Sequence, residues 1–486
     1  MNSILNGLYP EKVWYYFEEI CKYPRPSKKE EKIAAFIVSY GKSQGLETIT
    51  DEIGNVLIRK PATKGKENLK TVILQSHIDM VCEKNSDTVH DFNKDPIQPF
   101  ISGEWVKAKG TTLGADDGIG VAAQLAILES KTIEHGPIEC LFTVDEETGL
   151  TGAFALKPGF LKGNILLNLD SEDEGQLYIG CAGGKDTVAT FNYSTDIPSP
   201  NSIAYKIMVS GLKGGHSGDD INKGLANSNK LLNRLLWNCK QFGIRLSSID
   251  GGNLRNAIPR EAYAIITVAE SSKASLLDFV KDYEKIIRNE YKTTELNIKI
   301  TCESTKLPDT IIDSKITDNL LNALYACPHG VIAMTAEMPD LVETSTNLAT
   351  IKMVEGNLIK VGTSQRSSVV SAKQDIVDMV ASVFLLANAR IQHGEGYPGW
   401  QPNLKSEILK TVKNSYLTLY KREPKVMAIH AGLECGLIGE KYPEMDMISF
   451  GPTLRGVHSP DEKLNIESVR KFWDLIVEVL KNIPKV

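Results

Sequence analysis

Apolar positions recur with two different periods along this chain, and the change from one to the other divides it. Residues 10–21 and the segment after Ser27 carry helical spacing, and Ser27 stands three residues before Glu30, the spacing of a capping box. From Thr71 the pattern turns into short, β-rich apolar runs: TVILQSHI (71–78), IECLFTV (138–144) and NILLNLD (164–170), with a helix predicted over 118–130 between the first two. Strands alternating with helices predict an α/β unit, a mixed sheet with helices on its faces.

From about Tyr205 the texture differs. Alternating strands such as YKIMVSGL and EAYAIITVAE enclose helices predicted near 221–241 and 274–291; a helix near 314–326, the strands ATIKMVE and LIKVG and a helix ending near 390 follow. This predicts a separate α+β unit without a clean internal repeat. Residues 394–399, GEGYPG, read as a linker, after which helix–strand alternation resumes through MISFG (447–451) to a terminal helix from about Asn465. The predicted layout is a catalytic domain in two pieces, 1–184 and 396–486, interrupted by an inserted lid, 185–395.

Bulk numbers narrow the function classes. A chain of 486 residues, 42% hydrophobic, can bury substantial cores, and its formal charge of −6 with dispersed basic residues shows no footprint for nucleic acid or anionic membrane. The opening MNSILNGLYPEKVWYYFEEI lacks a basic stretch and is broken by Gly7 and Pro10, so it does not read as a signal peptide; no apolar run approaches the roughly 18 residues of a membrane span. Eight cysteines without any C-x-x-C read as free thiols in a reducing cytoplasm.

The candidate chemistry lies where the apolar runs stop. His77 and Asp79 are two residues apart at a strand end and so share a face, placing Asp79 to fix the second ring nitrogen of a ligating His77. GADDGIG (114–120) puts two adjacent carboxylates, Asp116 and Asp117, on a turn into a helix, where they suit either a cation or a plain helix cap. Its GIGVAA also matches a loose dinucleotide pattern, weakly, because no strand leads into the first glycine and the acids would repel a pyrophosphate. Asp145-Glu146-Glu147 ends the next run, where solvated surface is the ordinary alternative; Asp170 ends the third, and a second imidazole, His458, follows MISFG. One acidic strand end is commonplace. Repeated on successive strands, these oxygen and imidazole donors predict a metal site, and the set suits two divalent ions better than one closed structural zinc.

Beyond these single features, SHIDM, GADDGIG, DEETG, NLDSE, GGHSGD, NAIPR, GTSQRSS, HAGLECG and GPTLRGVHSPDE occur in this order over nearly the whole chain. In that ordered set the chain resembles the aminoacyl-histidine dipeptidases of the aminoacylase and carboxypeptidase-type metallopeptidase clan. The resemblance implies a cytoplasmic dipeptidase with two divalent metals, zinc first and cobalt or manganese as alternatives, that cleaves Xaa-His and other unblocked dipeptides. By the same resemblance His77 and Asp170 hold one metal, Glu147 and His458 the other, and Asp116 bridges them across a cis Asp116–Asp117 peptide. Asp79 orients His77, Glu146 is the general base, His216 stabilises the oxyanion, and Asn256 and Arg366 hold the substrate. Pairing of two copies through the lid is expected, with no nucleic acid or membrane partner. An aminotripeptidase or N-acyl amino acid deacylase of the clan, or a non-catalytic binding protein on this fold, are the alternatives. HAGLECG leaves open whether His430 or Glu434 meets the substrate.

Overall fold

A computed structural model describes residues 4–336, 338 and 341–486, which fold into two compact units. One holds the chain up to Cys181 together with Trp400–Ala428 and Leu433–Val486; the other holds Ala182–Gly399 and a short return, Ile429–Gly432. The boundaries fall at 181/182 and 399/400, where the sequence pattern placed 184/185 and 395/396.

The first unit is built on an eight-stranded sheet in the spatial order Glu47–Thr50, Val56–Lys60, Ile138–Thr143, Val72–His77, Ile165–Asn168, Asp446–Ser449, Gln176–Cys181, Lys425–Ile429. Its four middle strands, Ile138–Thr143 through Asp446–Ser449, run parallel, and antiparallel strands flank them. Strands Val72–His77, Ile138–Thr143 and Ile165–Asn168 are buried along their whole length, which is why they read as mainly apolar runs and not as alternation. Strand Asp446–Ser449, from the far end of the chain, lies between Ile165–Asn168 and Gln176–Cys181, which are close neighbours in sequence. Helices cover this mixed sheet; the terminal one, Ile466–Lys481, buries Val469, Phe472, Leu475, Ile476, Val479 and Leu480 along one stripe.

The second unit carries a nine-stranded sheet whose main path is antiparallel, from Lys299–Thr305 through Ser202–Ser210, Ala262–Ala269, Arg245–Gly251, Val342–Val354, Leu358–Ser367 and Gly183–Asn192 to Arg390–His393. Helices Ser228–Cys239, Lys273–Glu290, Ser314–Ala326 and Val370–Leu386 share one apolar core with it, so the unit is α+β.

Two local expectations give way. The helix expected from 221 begins at Ser228, because Gly224 takes φ +67° and Asn227 caps the first turn by accepting the Lys230 N–H at 3.1 Å. The capping box at Ser27 does not form: the helix is Glu31–Ser43, Lys28 takes φ +67°, and the Ser27 hydroxyl donates instead to Asp79 Oδ2 at 2.8 Å. Among the described residues no helix is long and apolar enough to cross a membrane.

Candidate metal centre

Parallel strands that start at one edge of a sheet end at the other, so the residues after their carboxyl ends are gathered together. His77 closes Val72–His77, Asp145–Glu147 follow Ile138–Thr143, and Asp170 follows Ile165–Asn168, with His77 in register with Thr143 and Gln75 with both Leu141 and Asn168. Asp116 enters from the start of helix Ala115–Glu129, and His458 from the loop after Leu454–Arg455.

The convergence is close. His77 Nε2 lies 3.2 Å from Asp116 Oδ1 and 3.6 Å from Asp170 Oδ1. His458 Nε2 lies 3.3 Å from Asp116 Oδ2 and 3.0 Å from Glu147 Oε2. His77, Asp116 and Asp170 thus form one group of potential ligand atoms within 4.8 Å of one another, and Asp116, Glu147 and His458 a second. Asp116 belongs to both, turning one oxygen to each imidazole. Glu146 joins His77 and Glu147 in a further group of the same span. The Asp116–Asp117 peptide is cis.

Three groups hold these segments, and two of them, Arg25 and Glu462, leave no mark in the sequence. Asp79 was singled out only for His77, whose Nδ1 lies 3.2 Å from its Oδ1; it also accepts the backbone N–H groups of Glu146 at 3.0 Å and Glu147 at 3.2 Å. Arg25, 2% exposed, donates to the carbonyls of Ile78 at 3.2 Å, Asp79 at 2.8 Å and Gly114. Glu462, also 2% exposed, accepts the N–H groups of Leu113, Gly114 and Ala115 at 2.6, 3.0 and 2.8 Å, tying the His458 loop to the turn that carries Asp116. Gly114 sits at φ +67°, and a Cβ there would meet Arg25 Nη2 at 2.5 Å and Met80 Sδ at 2.8 Å. Gly118 and Gly120, the glycines of GIGVAA, are packed as closely, a Cβ meeting Arg25 Nη2 at 2.7 Å at the first and the Asp117 and Ser76 side chains at the second, so they serve close packing and not a pyrophosphate.

Burial opposes protonation of His77, yet the Asp170, Asp116 and Asp79 carboxylates outweigh it and raise its pKa well above the ordinary value. Hydrogen bonds to Asp116 and Glu147 push His458 up to about 11. Burial, reinforced by Glu147, Glu434 and Asp116, raises Glu146 well above the usual carboxylate range, and burial likewise raises Asp170.

The second unit brings the remaining candidates near one another. His216, on the short strand Gly215–His216, pairs with Ala257, and the Asn256 carbonyl accepts the Ser217 N–H at 2.9 Å. The Asp219 N–H donates to His216 Nδ1 at 3.3 Å, which leaves Nε2 to carry the proton; Asp219 Oδ2, also 3.3 Å from Nδ1, pulls the other way. Arg366 is buried and donates from Nη1 to the Tyr397 hydroxyl at 3.0 Å. Burial raises the Asp219 acid, but His216, Arg366 and His430 together bring it below its ordinary value.

Residues 73–482 match the profile of peptidase family M20/M25/M40. The chain belongs to that family. It is 46% identical over 483 residues, 99% of each chain, to the cytosol non-specific dipeptidase of Escherichia coli K12. This M20 chain also superposes on the crystal structure of an aminoacylhistidine dipeptidase from Vibrio alginolyticus with a TM-score of 0.92 at 46% identity, covering 100% of this chain and 99% of that one. An aminopeptidase from Bacillus cereus, at 16% identity and a TM-score of 0.62 over 98% and 99% of the two chains, shares the fold. The resemblance drawn from the motifs therefore holds over the full length, and the M20 chain is a peptide hydrolase. Its candidate site fits divalent cations. Asp116, Glu147 and Asp170 converge with only two imidazoles among them, and the pull they exert on the imidazole protons is the pull they would exert on metal ions.

Proposed function

We propose that this M20 chain is a dipeptidase that hydrolyses unblocked dipeptides, Xaa-His among them, with two divalent metals, zinc first. The observation that carries the reading is Asp116 facing both imidazoles, one oxygen to each, with the Glu146 carboxyl beside them. His77 and Asp170 would hold one ion, Glu147 and His458 the other, and Asp116 both. When bound, such a pair of ions polarises a scissile carbonyl and acidifies a water toward neutrality.

The chain's own groups do the rest. Asp79 orients His77 and fixes the turn that presents Glu146. Glu146, raised by burial, takes the proton of the attacking water onto its carboxylate and gives it to the leaving amine nitrogen. His216 donates from Nε2 to the developing oxyanion, Asn256 supports the bound peptide, and the Arg366 fork grips the terminal carboxylate. The names of the relatives from Escherichia coli and Vibrio alginolyticus support a dipeptide substrate over a tripeptide or an N-acyl amino acid, and the first supports a cytosolic setting. Pairing of two copies through the second unit has support in its helix Val370–Leu386, which leaves Val370, Met379, Leu385 and Leu386 exposed.

The test is metal analysis combined with hydrolysis of Ala-His, β-Ala-His, a tripeptide and an N-acetyl amino acid. Two ions per chain and turnover of the dipeptides are expected; turnover of the tripeptide or the acyl compound alone would reject the reading.

A further inference from the structure

Glu434, which opens helix Glu434–Lys441, is wholly buried, and only one of its two carboxyl oxygens is satisfied. Oε2 accepts from Gln75 Nε2 at 2.5 Å and from the Thr143 hydroxyl at 2.8 Å. Gln75 is itself fixed, its Oε1 accepting from Asn168 Nδ2 at 2.6 Å; Asn168 Oδ1 accepts from the Ser449 hydroxyl, and Ser449 lies 2.6 Å from the Ser171 hydroxyl. Side chains from all four parallel strands thus orient this one carboxyl. A fully connected buried network holds a group in one pose, and a carboxyl oxygen left out of it calls for a partner.

No donor reaches Oε1 from the described residues, and none of their cations pairs with Glu434. Nor does Glu434 join any of the candidate metal groups among those residues, so the ions have their ligands without it. Burial pushes its acid up to about 7, against the lowering pull of His77 and of the bonds from Thr143 and Gln75. Its partner Thr143 is in register with His77 and closes the strand that leads into Glu146, and its partner Gln75 stands two residues before His77, so Glu434 borders the reacting centre. In a dipeptide the α-amino nitrogen lies about 2.5 Å from the scissile carbonyl carbon, so any group that receives it must border that centre too.

We propose that Glu434 is the receptor for the substrate's free α-ammonium group, its Oε1 accepting the charge-assisted hydrogen bond that the protein leaves unmade. This rests on the reading of the chain as a hydrolase of unblocked dipeptides and assigns to one residue the selection for the free amino end. A charged partner in a dry pocket discriminates strongly against an analogue that lacks it, because the carboxyl is then left unpaired.

The test is Glu434→Gln, which keeps the two hydrogen bonds at Oε2 and removes the charge. The paired probes are Ala-His and propionyl-His, which has the same shape without the amine. KM for Ala-His should rise tenfold or more, while the inhibition constant of propionyl-His stays within about twofold and metal content is unchanged. Binding of both probes by calorimetry in the Glu146→Gln background reads the same contrast without turnover. Glu434→Asp, which retains the charge on a shorter arm, should fall between and guards against a variant that does not fold. Equal weakening of both probes, no change in either, or loss of metal in Glu434→Gln would each overturn the assignment. Failure of the wild-type protein to cleave any dipeptide would instead overturn the functional reading, and the calorimetric contrast would still decide Glu434.

Discussion

Asp79 holds Glu146 by its backbone: Oδ1 accepts the Glu146 N–H at 3.0 Å and lies 3.2 Å from His77 Nδ1. Its other oxygen accepts the Glu147 N–H at 3.2 Å and the Ser27 hydroxyl at 2.8 Å. One carboxylate therefore sets both an imidazole and the turn bearing two acids. Asp79→Asn replaces one acceptor with a donor that faces donors, so metal affinity or kcat should fall about 10–100-fold. Metal titration with steady-state kinetics checks this, and wild-type values in both would remove the orienting role.

Chemistry and metal binding should separate at adjacent residues. Glu146→Gln leaves every proposed ligand in place and should cost about 10²–10⁴ in rate with metal content intact. Glu147→Gln weakens an anionic ligand, so one ion should be held loosely and excess metal should restore part of the activity. If loss of Glu146 empties a site while loss of Glu147 does not, the roles are exchanged.

Metal loading should release protons. His77 and His458 have pKa values raised in the folded protein, His458 to about 11, so both imidazoles hold a proton near neutral pH and must lose it to bind a cation. A raised value means that the proton competes more strongly as pH falls, so metal affinity should rise with pH through the neutral range. A pH-stat titration of metal-free protein measures this directly; binding without proton release would contradict it.

Arg366→Lys exchanges a fork for a point charge. KM for free dipeptides should rise far more than for dipeptide amides, which lack the carboxylate. Equal effects on the two would remove the carboxylate role.

Glu462→Ala strands three buried N–H groups at Leu113, Gly114 and Ala115. A loss of about 3 kcal/mol or more is expected, read as a lower denaturation midpoint in metal-free protein, together with weaker metal binding through Asp116. An unchanged midpoint would show that the clamp contributes nothing to the fold.

Much of this was legible because the central strands are buried on both faces. Mainly apolar runs that stop at His77, before Glu146 and Glu147, and before Asp170 mark an α/β sheet and the edge where its strands end. Arg25 and Glu462 left no such mark, since their partners are backbone groups far away in the chain, and backbone groups look alike in every sequence. Ser27 misled for a related reason: its hydroxyl had a local acceptor role on offer, but a carboxylate delivered by the fold took it as donor. The helix starts at Ser228 and not near 221 because the left-handed Gly224 interrupts a spacing of apolar residues that runs on through it.

The place of strand Asp446–Ser449 bears on how the protein is made. It wedges between Ile165–Asn168 and Gln176–Cys181, and only beyond it come His458 and the Glu462 clamp. On the ribosome, at about 5–20 residues per second, His77, Asp116 and Asp170 emerge well before the segment that completes their sheet. A nascent chain therefore carries most of the proposed metal ligands without the frame that aligns them, and an interrupted chain, released early, would have no means to cleave the peptides around it.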